Sequence, residues 1–536
     1  MLVEQITGLL SDYCFWWTVL KDNFILFVIF TVVISFLNYF RYLNSLPPGP
    51  WGLPFLGYIP FMTPQLHRQY KKMAEKYGPI FCVNFGCKPV VILANHDTIR
   101  EAFNRSEFAG RPNTPFIGIM EGYGVINAEG PLWKNERKFL STKFKQFGAK
   151  MMNNHSDNLE LVIKREVDTL LRYMARHEFE PIHVSSPLSL ATTNVISYLV
   201  MGKRFTDDEF LFQRFMNLTT EGFRLFSSLT MANYVPAYRI FPGTQKIKKK
   251  IQQNREEMSM FFEEVIKEHR QKYDSNNLND IVDTYLYEIE KVREKGEENF
   301  EDRFEGRDVD RHLQQIMGDL FSAGMETVKT TLEWGIFFML HHPNAARAVQ
   351  NELDQVVGRS RLPNLQDMDQ LPLTKATIQE ILRKSSVVPL GAPHATTRST
   401  TFQGYHIPAN SEVISLIYAV HNDPEIWGDP EVFRPERFIK SDGKIDKPPK
   451  YLMPFGVGQR ICLGEKLARY ELFLFFSSLL HTFNIRLPEG ASLPSIEDGI
   501  LGTTFAPQPF KICLQMRDSI LIDGNANNEF VRNVGA

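Results

Sequence analysis

The chain has 536 residues, 43% of them hydrophobic, and a formal net charge of −2. That length and apolar content allow a large core, and the near-neutral balance excludes the basic footprint of a nucleic-acid-binding domain. The five cysteines, Cys14, Cys82, Cys87, Cys462 and Cys513, are an odd set without paired spacing, which argues against a disulfide framework and suits a reducing compartment; no Cys/His cluster has zinc spacing.

From Phe24 to Phe40 nearly every residue is apolar, interrupted by Thr31, Ser35 and Asn38. The run is at the short end of what a membrane-spanning helix needs, roughly 17–25 residues, and Trp16, Trp17 and Tyr39 suit its two interfaces. A cleaved signal peptide would have a basic start and small residues at its cleavage site; a mitochondrial presequence would be Arg-rich, whereas the first arginine here is Arg41. An uncleaved anchor over residues 1–45 is therefore expected. Glu4, Asp12, Lys21 and Asp22 precede the run, and Arg41, Arg68, Lys71, Lys72 and Lys76 follow it. The positive-inside rule then places everything after Arg41 in the cytosol, where the sequons at Asn104, Asn154 and Asn217 stay unmodified.

Residues 46–54 hold Pro47, Pro48, Pro50 and Pro54. Proline fixes φ and resists helix, so this is a stiff extended hinge; a ligand for a proline-binding domain is the competing reading. Ile80–Phe85 and Val90–Leu93 form a hairpin. From there to about residue 275 the pattern is mostly helical, with loops at 107–130 and 232–244, and residues 291–308 are a charged, solvated loop. Val309–His342 lacks proline and keeps helical periodicity, which predicts a helix of roughly 50 Å at 1.5 Å per residue; Pro343 ends it. No repeat or linker divides the chain. One mainly α (α+β) domain over 55–516 is expected, with a small β-rich portion and a tail over 517–536.

Four groups of residues carry chemistry. Trp133 and Arg137 are four apart and share one helical face; alone, Trp133 reads as a core aromatic. Ala323-Gly324-Met325-Glu326-Thr327 lies within the long helix. Its small residues leave room for a flat cofactor and a diatomic ligand, and Glu326 and Thr327 offer an acid and a hydroxyl. A helix with Gly and Thr can open locally; a close helix crossing is the competing reading. Glu380 and Arg383, three apart, normally make a surface pair of little value. Finally, Cys462 stands on a glycine-rich loop, Pro454 to Gly464, directly before a helix-forming run over Glu465–Phe483. The helix dipole and Arg460 favour a thiolate, which can be the axial ligand of a haem iron and promote O–O cleavage. A small buried hydrophobe is the alternative. A nucleotide loop is not: Ile461 stands where the third glycine of G-x-G-x-x-G belongs.

Phe455, Gly458, Arg460, Cys462 and Gly464 match the pattern Phe-x-x-Gly-x-Arg-x-Cys-x-Gly. The segment closely resembles the haem-ligand loop of the cytochromes P-450, and other motifs of that family follow in order over almost the whole chain. The resemblance implies the P-450 fold after an N-terminal membrane helix, with haem b on Cys462 and an oxygen-binding groove at Ala323–Thr327, where Thr327 and Glu326 deliver protons to oxygen. It implies a buried structural triad of Glu380, Arg383 and Arg437, the last in Phe433-Arg434-Pro435-Glu436-Arg437-Phe438. Trp133, Arg137, His394 and Arg460 match positions that bind the haem propionates in relatives, and Phe455 lies on the haem loop. Some relatives carry an arginine before Gly122-Tyr123-Gly124, where this chain has Glu121. Phe116, Ile119, Phe321, Ala323, Leu390 and Thr504 match pocket walls.

Residues 108–112 and 320–327 look like the steroid and xenobiotic branch, and Glu352–Arg359 with Arg532–Ala536 resemble the insect ecdysteroid 26-hydroxylases. That implies inactivation of ecdysteroids such as 20-hydroxyecdysone by side-chain (C-26) hydroxylation, with other ecdysteroid positions or xenobiotics as alternatives. The remote alternative is a haem-thiolate isomerase or gas sensor, against which Glu326-Thr327 argues, because such a protein has no proton to deliver. The chain has no flavin or nucleotide loop of its own. The expected electron source is therefore NADPH through a separate P-450 reductase, docking on Lys134, Lys138, Lys143, Lys145, Lys466 and Arg469, with cytochrome b5 as a second partner. Membrane lipid is the remaining partner, and the endoplasmic reticulum membrane the expected location.

Overall fold

The computed structural model describes residues 21–517 other than 22, 25, 36, 38–40, 43, 87, 115–117, 151–158, 207–209, 295–303 and 446. The principal helices are α1 (Leu66–Tyr77), α2 (His96–Asn104), α3 (Gly130–Lys150), α4 (Leu159–Arg176), α5 (Ser185–Met201), α6 (Phe210–Ser228), α7 (Pro242–Lys272), α8 (Ile281–Glu294), α9 (Val309–His341), α10 (Pro343–Val356), α11 (Pro372–Ser385) and α12 (Glu465–Thr482). The strands are β1 (Ile80–Phe85), β2 (Lys88–Leu93), β3 (Ile182–His183), β4 (His394–Ala395), β5 (Thr400–Phe402), β6 (Tyr405–Ile407), β7 (Glu412–Ser415), β8 (Phe483–Arg486), β9 (Ile500–Leu501), β10 (Phe505–Ala506) and β11 (Lys511–Met516). They make a four-stranded sheet in the order β1-β2-β7-β4, a three-stranded sheet β3-β11-β8, and the two pairs β5-β6 and β9-β10.

Helix α9 organises the core. Asp308 caps it, accepting from the Arg311 N–H at 2.8 Å, and no proline interrupts its 33 residues. Leu313, Ile316, Phe321, Val328, Trp334 and Phe337 are all buried on it. Apolar residues on every face mark a helix sunk in a core, and α9 packs against α5, α7, α11 and α12. Trp334 is fully buried, and its indole N–H donates to the Phe505 carbonyl at 2.8 Å, which ties the last strands to the helix.

The hairpin register runs from Ile80↔Leu93 to Phe85↔Lys88. The second strand thus starts earlier than the apolar run suggests and includes Pro89. It tolerates the proline because pairing with β7 begins only at Val90, so Pro89 owes that neighbour no N–H. The proline-rich hinge lies against β1: the Cys82 N–H donates to the Pro48 carbonyl at 2.8 Å, and a Cβ on Gly49 would sit 1.7 Å from the Cys82 carbonyl oxygen. The expected loop at 232–244 instead contains a short helix over Thr230–Tyr234, a 3₁₀ turn over Pro236–Ile240 and the start of α7. Pro236 and Pro242 occupy first-turn positions, where a proline starts a helix rather than breaking it.

Within the expected anchor, residues 26–35 are helical, with Phe27, Phe30 and Val32 exposed. Among the described residues, no helix is long and apolar enough to cross a membrane; residues 1–20, 22, 25, 36, 38–40 and 43 of that region, and 518–536 of the tail, lie outside the description.

The triad forms. Glu380 and Arg383 are both fully buried, paired through Nε–Oε2 at 2.7 Å and Nη2–Oε1 at 2.8 Å. Arg437 Nε reaches Glu380 Oε1 at 3.2 Å, and the Arg434 N–H donates to the same oxygen at 2.9 Å. The spare donors bind carbonyls: Arg383 Nη1 to His421 at 2.7 Å and Arg437 Nη1 to Trp427 at 3.0 Å. Removing one partner leaves buried charge without its full compensation, which typically costs about 3–5 kcal/mol. Arg383→Ala is therefore expected to lower unfolding stability by about 3–5 kcal/mol in denaturant titration and to lose the cofactor; a wild-type reduced-CO spectrum would contradict this.

Candidate active site

The loop before α12 is shaped by two glycines with positive φ, Gly456 (72°) and Gly458 (77°). Gly458 is also forced by space, since a Cβ there would lie 2.1 Å from the Phe103 carbonyl oxygen of α2. The Cys462 N–H donates back to Phe455 at 2.9 Å, and the Arg469 guanidinium covers the Phe455 ring at 4.7 Å. The Cys462 side chain has open surface although protein encloses it on nearly every side. Both hold because the sulfur faces an internal space. Burial pushes its thiol above the ordinary value; a hydrogen bond from Gly464 and the charges of Arg137 and Arg469 pull down, and Glu465 pushes up. Arg460, expected beside the sulfur, instead donates to the Ala109 and Ala128 carbonyls at 2.9 and 2.7 Å. The cations facing Cys462 are Arg137 and Arg469, and a bound metal ion would itself remove the proton.

Ala323 is exposed in the middle of the core helix, while Phe321 and Met325 on either side are buried. Since α9 and α12 pack together, open surface at Ala323 and at Cys462 marks a space between them. The Thr327 hydroxyl donates to the Ala323 carbonyl at 2.8 Å, the side-chain-to-backbone bond expected of a threonine within a helix. Glu326 is held three ways: Lys329 at 2.9 Å, and the hydroxyls of Thr330 and Thr504, each at 3.2 Å. Lys329 was not singled out in the sequence, although its i,i+3 spacing from Glu326 signals the contact. Gly324 makes room elsewhere: a Cβ would meet Ile196 of α5 at 2.9 Å, so its smallness serves the helix crossing and Ala323 alone opens onto the space.

A cationic wall adjoins this space. The Arg460 guanidinium stacks on Trp133 at 3.8 Å. The buried Trp133 N–H has no hydrogen-bond partner among the described residues. Arg137 donates to the Ile461 carbonyl, next to Cys462. His394 donates from Nδ1 to the Phe108 carbonyl at 2.8 Å and stacks on Phe103 at 3.7 Å; burial, Arg111 and Arg460 push it down to about 3. Burial and mutual repulsion hold Arg460 down to about 8. Half-buried cations hydrogen-bonded to carbonyls, beside an indole N–H without a partner among the described residues, are a donor set short of anions. A flat apolar group carrying two carboxylates and an open metal position fits it.

The expected pocket walls are dispersed. Ile119 is buried with Leu225, Leu229, Ala232 and Ile251. Phe321 is fully buried edge-on against Phe215 at 4.2 Å, Leu390 packs at the margin of the sheet cluster, and Thr504 is engaged with Glu326. Phe116 lies outside the described residues. Of the basic residues, Lys134, Lys138, Lys145 and Lys466 are exposed; Lys143 pairs with Glu288 at 3.4 Å and Arg469 with Glu465 at 2.9 Å.

His421 is a link the sequence did not reveal. It is fully buried, its carbonyl accepts from Arg383 at 2.7 Å, and its Nε2 accepts from the Met453 N–H at 3.1 Å. Its Nδ1 faces the Ser386 hydroxyl at 2.9 Å, which donates onward to the Arg383 carbonyl at 2.9 Å. Met453 begins the turn to Gly456. The triad is thereby wired to the cysteine loop through a ring that must stay neutral; burial and Arg383 push it down to about 3.

The family model described as Cytochrome P450 matches residues 47–514. Cytochrome P450 18a1 of Drosophila melanogaster is 46% identical over 511 residues, covering 95% of this chain and 94% of its own. Cytochrome P450 2U1 of Rattus norvegicus is 33% identical over 500 residues, 88% and 91% of the two chains. Cytochrome P450 2C8 of Homo sapiens is 33% identical over 502 residues, 91% and 99%.

Cys462→Ala is expected to yield folded protein without a thiolate-type reduced-CO band and without turnover. For His421, the unfolded value of 6.5 exceeds the folded value of about 3, so the unfolded chain binds the extra proton between them. Its contribution is complete above pH 6.5 and is lost as pH falls toward 3, at up to about 1.4 kcal/mol per pH unit. Urea titrations between pH 7 and 4.5 should show a shallower pH slope for His421→Gln than for wild type.

Proposed function

This chain belongs to the cytochrome P450 family and is a monooxygenase of it, and we propose that its substrate is an ecdysteroid such as 20-hydroxyecdysone, hydroxylated on the side chain at C-26. The cofactor is haem b, with electrons from NAD(P)H through a reductase. Bound haem supplies the activation of dioxygen, one atom of which enters the substrate while the other leaves as water.

Cys462 would hold the iron as a thiolate, and Trp133, Arg137, His394 and Arg460 would hold the propionates. Glu326 and Thr327 manage protons: the acid is kept at the open face by Lys329, Thr330 and Thr504, while Thr327 gives its hydroxyl proton to Ala323 and so presents lone pairs. That constellation, on a helix face opened by Ala323, is the observation that carries the oxygenase chemistry. The steroid reading is supported by the resemblance of Glu352–Arg359 and Arg532–Ala536 to ecdysteroid 26-hydroxylases.

Residues 1–45 serve as the membrane anchor in this reading, with the hinge at 46–54 and the catalytic domain over 55–516 on the cytosolic face of the endoplasmic reticulum. Exposed Trp51, Phe55, Ile240 and Phe241 suit a lipid-facing side. The reductase, and cytochrome b5, dock on the face carrying Lys134, Lys138, Lys145 and Lys466.

Enzyme reconstituted with reductase and NADPH should add one oxygen to 20-hydroxyecdysone at C-26, seen by mass spectrometry and NMR. No product above the control lacking NADPH would remove the steroid reading, and oxidation elsewhere would move the position. Glu326→Gln should slow coupled turnover by roughly 10²-fold and divert reduced oxygen into hydrogen peroxide. First-electron reduction should slow steeply as ionic strength rises.

A further inference from the structure

We propose that Lys329 and Glu333 form a proton relay along α9 that recharges Glu326 from the solvent side of the core. Glu326, Lys329, Thr330 and Glu333 stand at i, i+3, i+4 and i+7, so one face of the helix carries them in line. Seven residues at 1.5 Å each set the two acids about 10 Å apart along the axis, with the lysine between them. Glu326 stands three residues past Ala323, at the open face. Glu333 meets α5 through a side-chain hydrogen bond with Ser185.

Such spacing normally makes a solvated ladder on a helix surface, which adds little stability. Here the side chains of Lys329 and Glu326 are only 14% and 19% exposed, and Glu333 is buried. Lys329 Nζ donates to Glu326 Oε2 at 2.9 Å, while the hydroxyls of Thr330 and Thr504 hold Oε1. One ammonium thus serves two enclosed carboxyls. Two charged acids would leave one anion uncompensated in the interior, so the acid that the lysine does not touch keeps a proton. In this arrangement that acid is Glu333. Burial raises its carboxyl above the ordinary value and Glu326 pushes the same way, against the pull of Lys329 and Ser185.

Each transfer moves one proton and no electron. Glu326 gives up its proton at the oxygen site and is left as a carboxylate. The Lys329 ammonium passes it one N–H proton across 2.9 Å. It takes one from Glu333 at the other end of the swing of its flexible stem, and so ends charged as it began. The negative charge has moved from Glu326 to Glu333. Ser185 is exposed at the first residue of α5, and a solvent proton entering past it restores Glu333. Ser185 and Thr504 are the neighbours from other elements, and neither hydroxyl titrates in the working range.

The relay rests on the oxygenase reading, and two readouts keep them apart. Wild type, Lys329→Met, Lys329→Arg and Glu333→Gln are prepared as holoenzymes with intact reduced-CO bands. Infrared spectra are taken of the resting proteins at neutral pH. The wild-type minus Glu333→Gln difference should show a protonated carboxyl; a carboxylate band alone would overturn the relay. With reductase and NADPH, Glu333→Gln and Lys329→Met should couple oxygen to product roughly 10-fold less, the loss of a charged hydrogen bond. They should release more hydrogen peroxide at an unchanged KM, with a larger solvent isotope effect and a rate that falls as pH rises. Lys329→Arg keeps the ion pair but never gives up its proton, so it should behave like Lys329→Met. Wild-type coupling in Lys329→Arg or in Glu333→Gln would reduce Lys329 to a counter-ion of Glu326 and overturn the relay. If a Lys329 variant does not fold, Glu333→Gln decides. A wild type that takes up no oxygen with reductase and NADPH would instead indict the oxygenase reading, and the infrared difference, which needs neither, still decides where the proton sits.

Discussion

The structure depends on one buried carboxylate. Glu380 lies between two guanidinium groups and a backbone N–H with no access to water. Its charge is tolerable only because Arg383 and Arg437 meet it at hydrogen-bond distance, and theirs only because carbonyls take the remaining donors. Those carbonyls belong to the chain between β7 and the cysteine loop, at His421, Trp427, Pro430 and Val432. A long connection holding only short helical turns, at Ile417–His421, Pro424–Trp427 and Pro435–Phe438, thereby acquires fixed coordinates. Through His421 and Met453 the constraint reaches the turn that presents Cys462. The same connection also docks through apolar residues, Trp427, Phe438 and Leu452 packing against Ala376 of α11.

The cofactor side follows the opposite logic. Around Glu380 charges are satisfied within the protein; around Trp133 they are not. Arg111, Arg137 and Arg460 end on backbone oxygens, and among the described residues the indole N–H meets no acceptor. Repulsion among them is the reserve of binding energy that a dianionic group releases. The thiol of Cys462 shows the same balance: burial pushes it up, against the Gly464 N–H and the charges of Arg137 and Arg469.

How much could be read from residues alone varies with the reach of the interaction. Helix α9 was legible to within a residue, because unbroken periodicity and Pro343 are local signals. The hairpin was legible except at Pro89, whose tolerance depends on where β7 begins pairing. The short helices at 230–244 were missed because Pro236 and Pro242 look like breakers until their first-turn positions are known. At the site, the order of motifs brought out Cys462, Glu326, Thr327 and the triad, yet not Lys329 or His421.

By itself the sequence determined the chemistry: a cysteine before a helix, a small-residue and acid–hydroxyl segment within a long one, and charged residues in family order, all patterns of short range. Only the tertiary structure decided which charge faces which. It turned Arg460 from the sulfur to the Ala109 and Ala128 carbonyls, gave Gly324 to Ile196 and the opening to Ala323, set Thr504 on Glu326, and bound Glu121 to Arg311. Such contacts join residues far apart in the chain, and they are settled by the desolvation cost of each polar group against the partners that packing brings within reach.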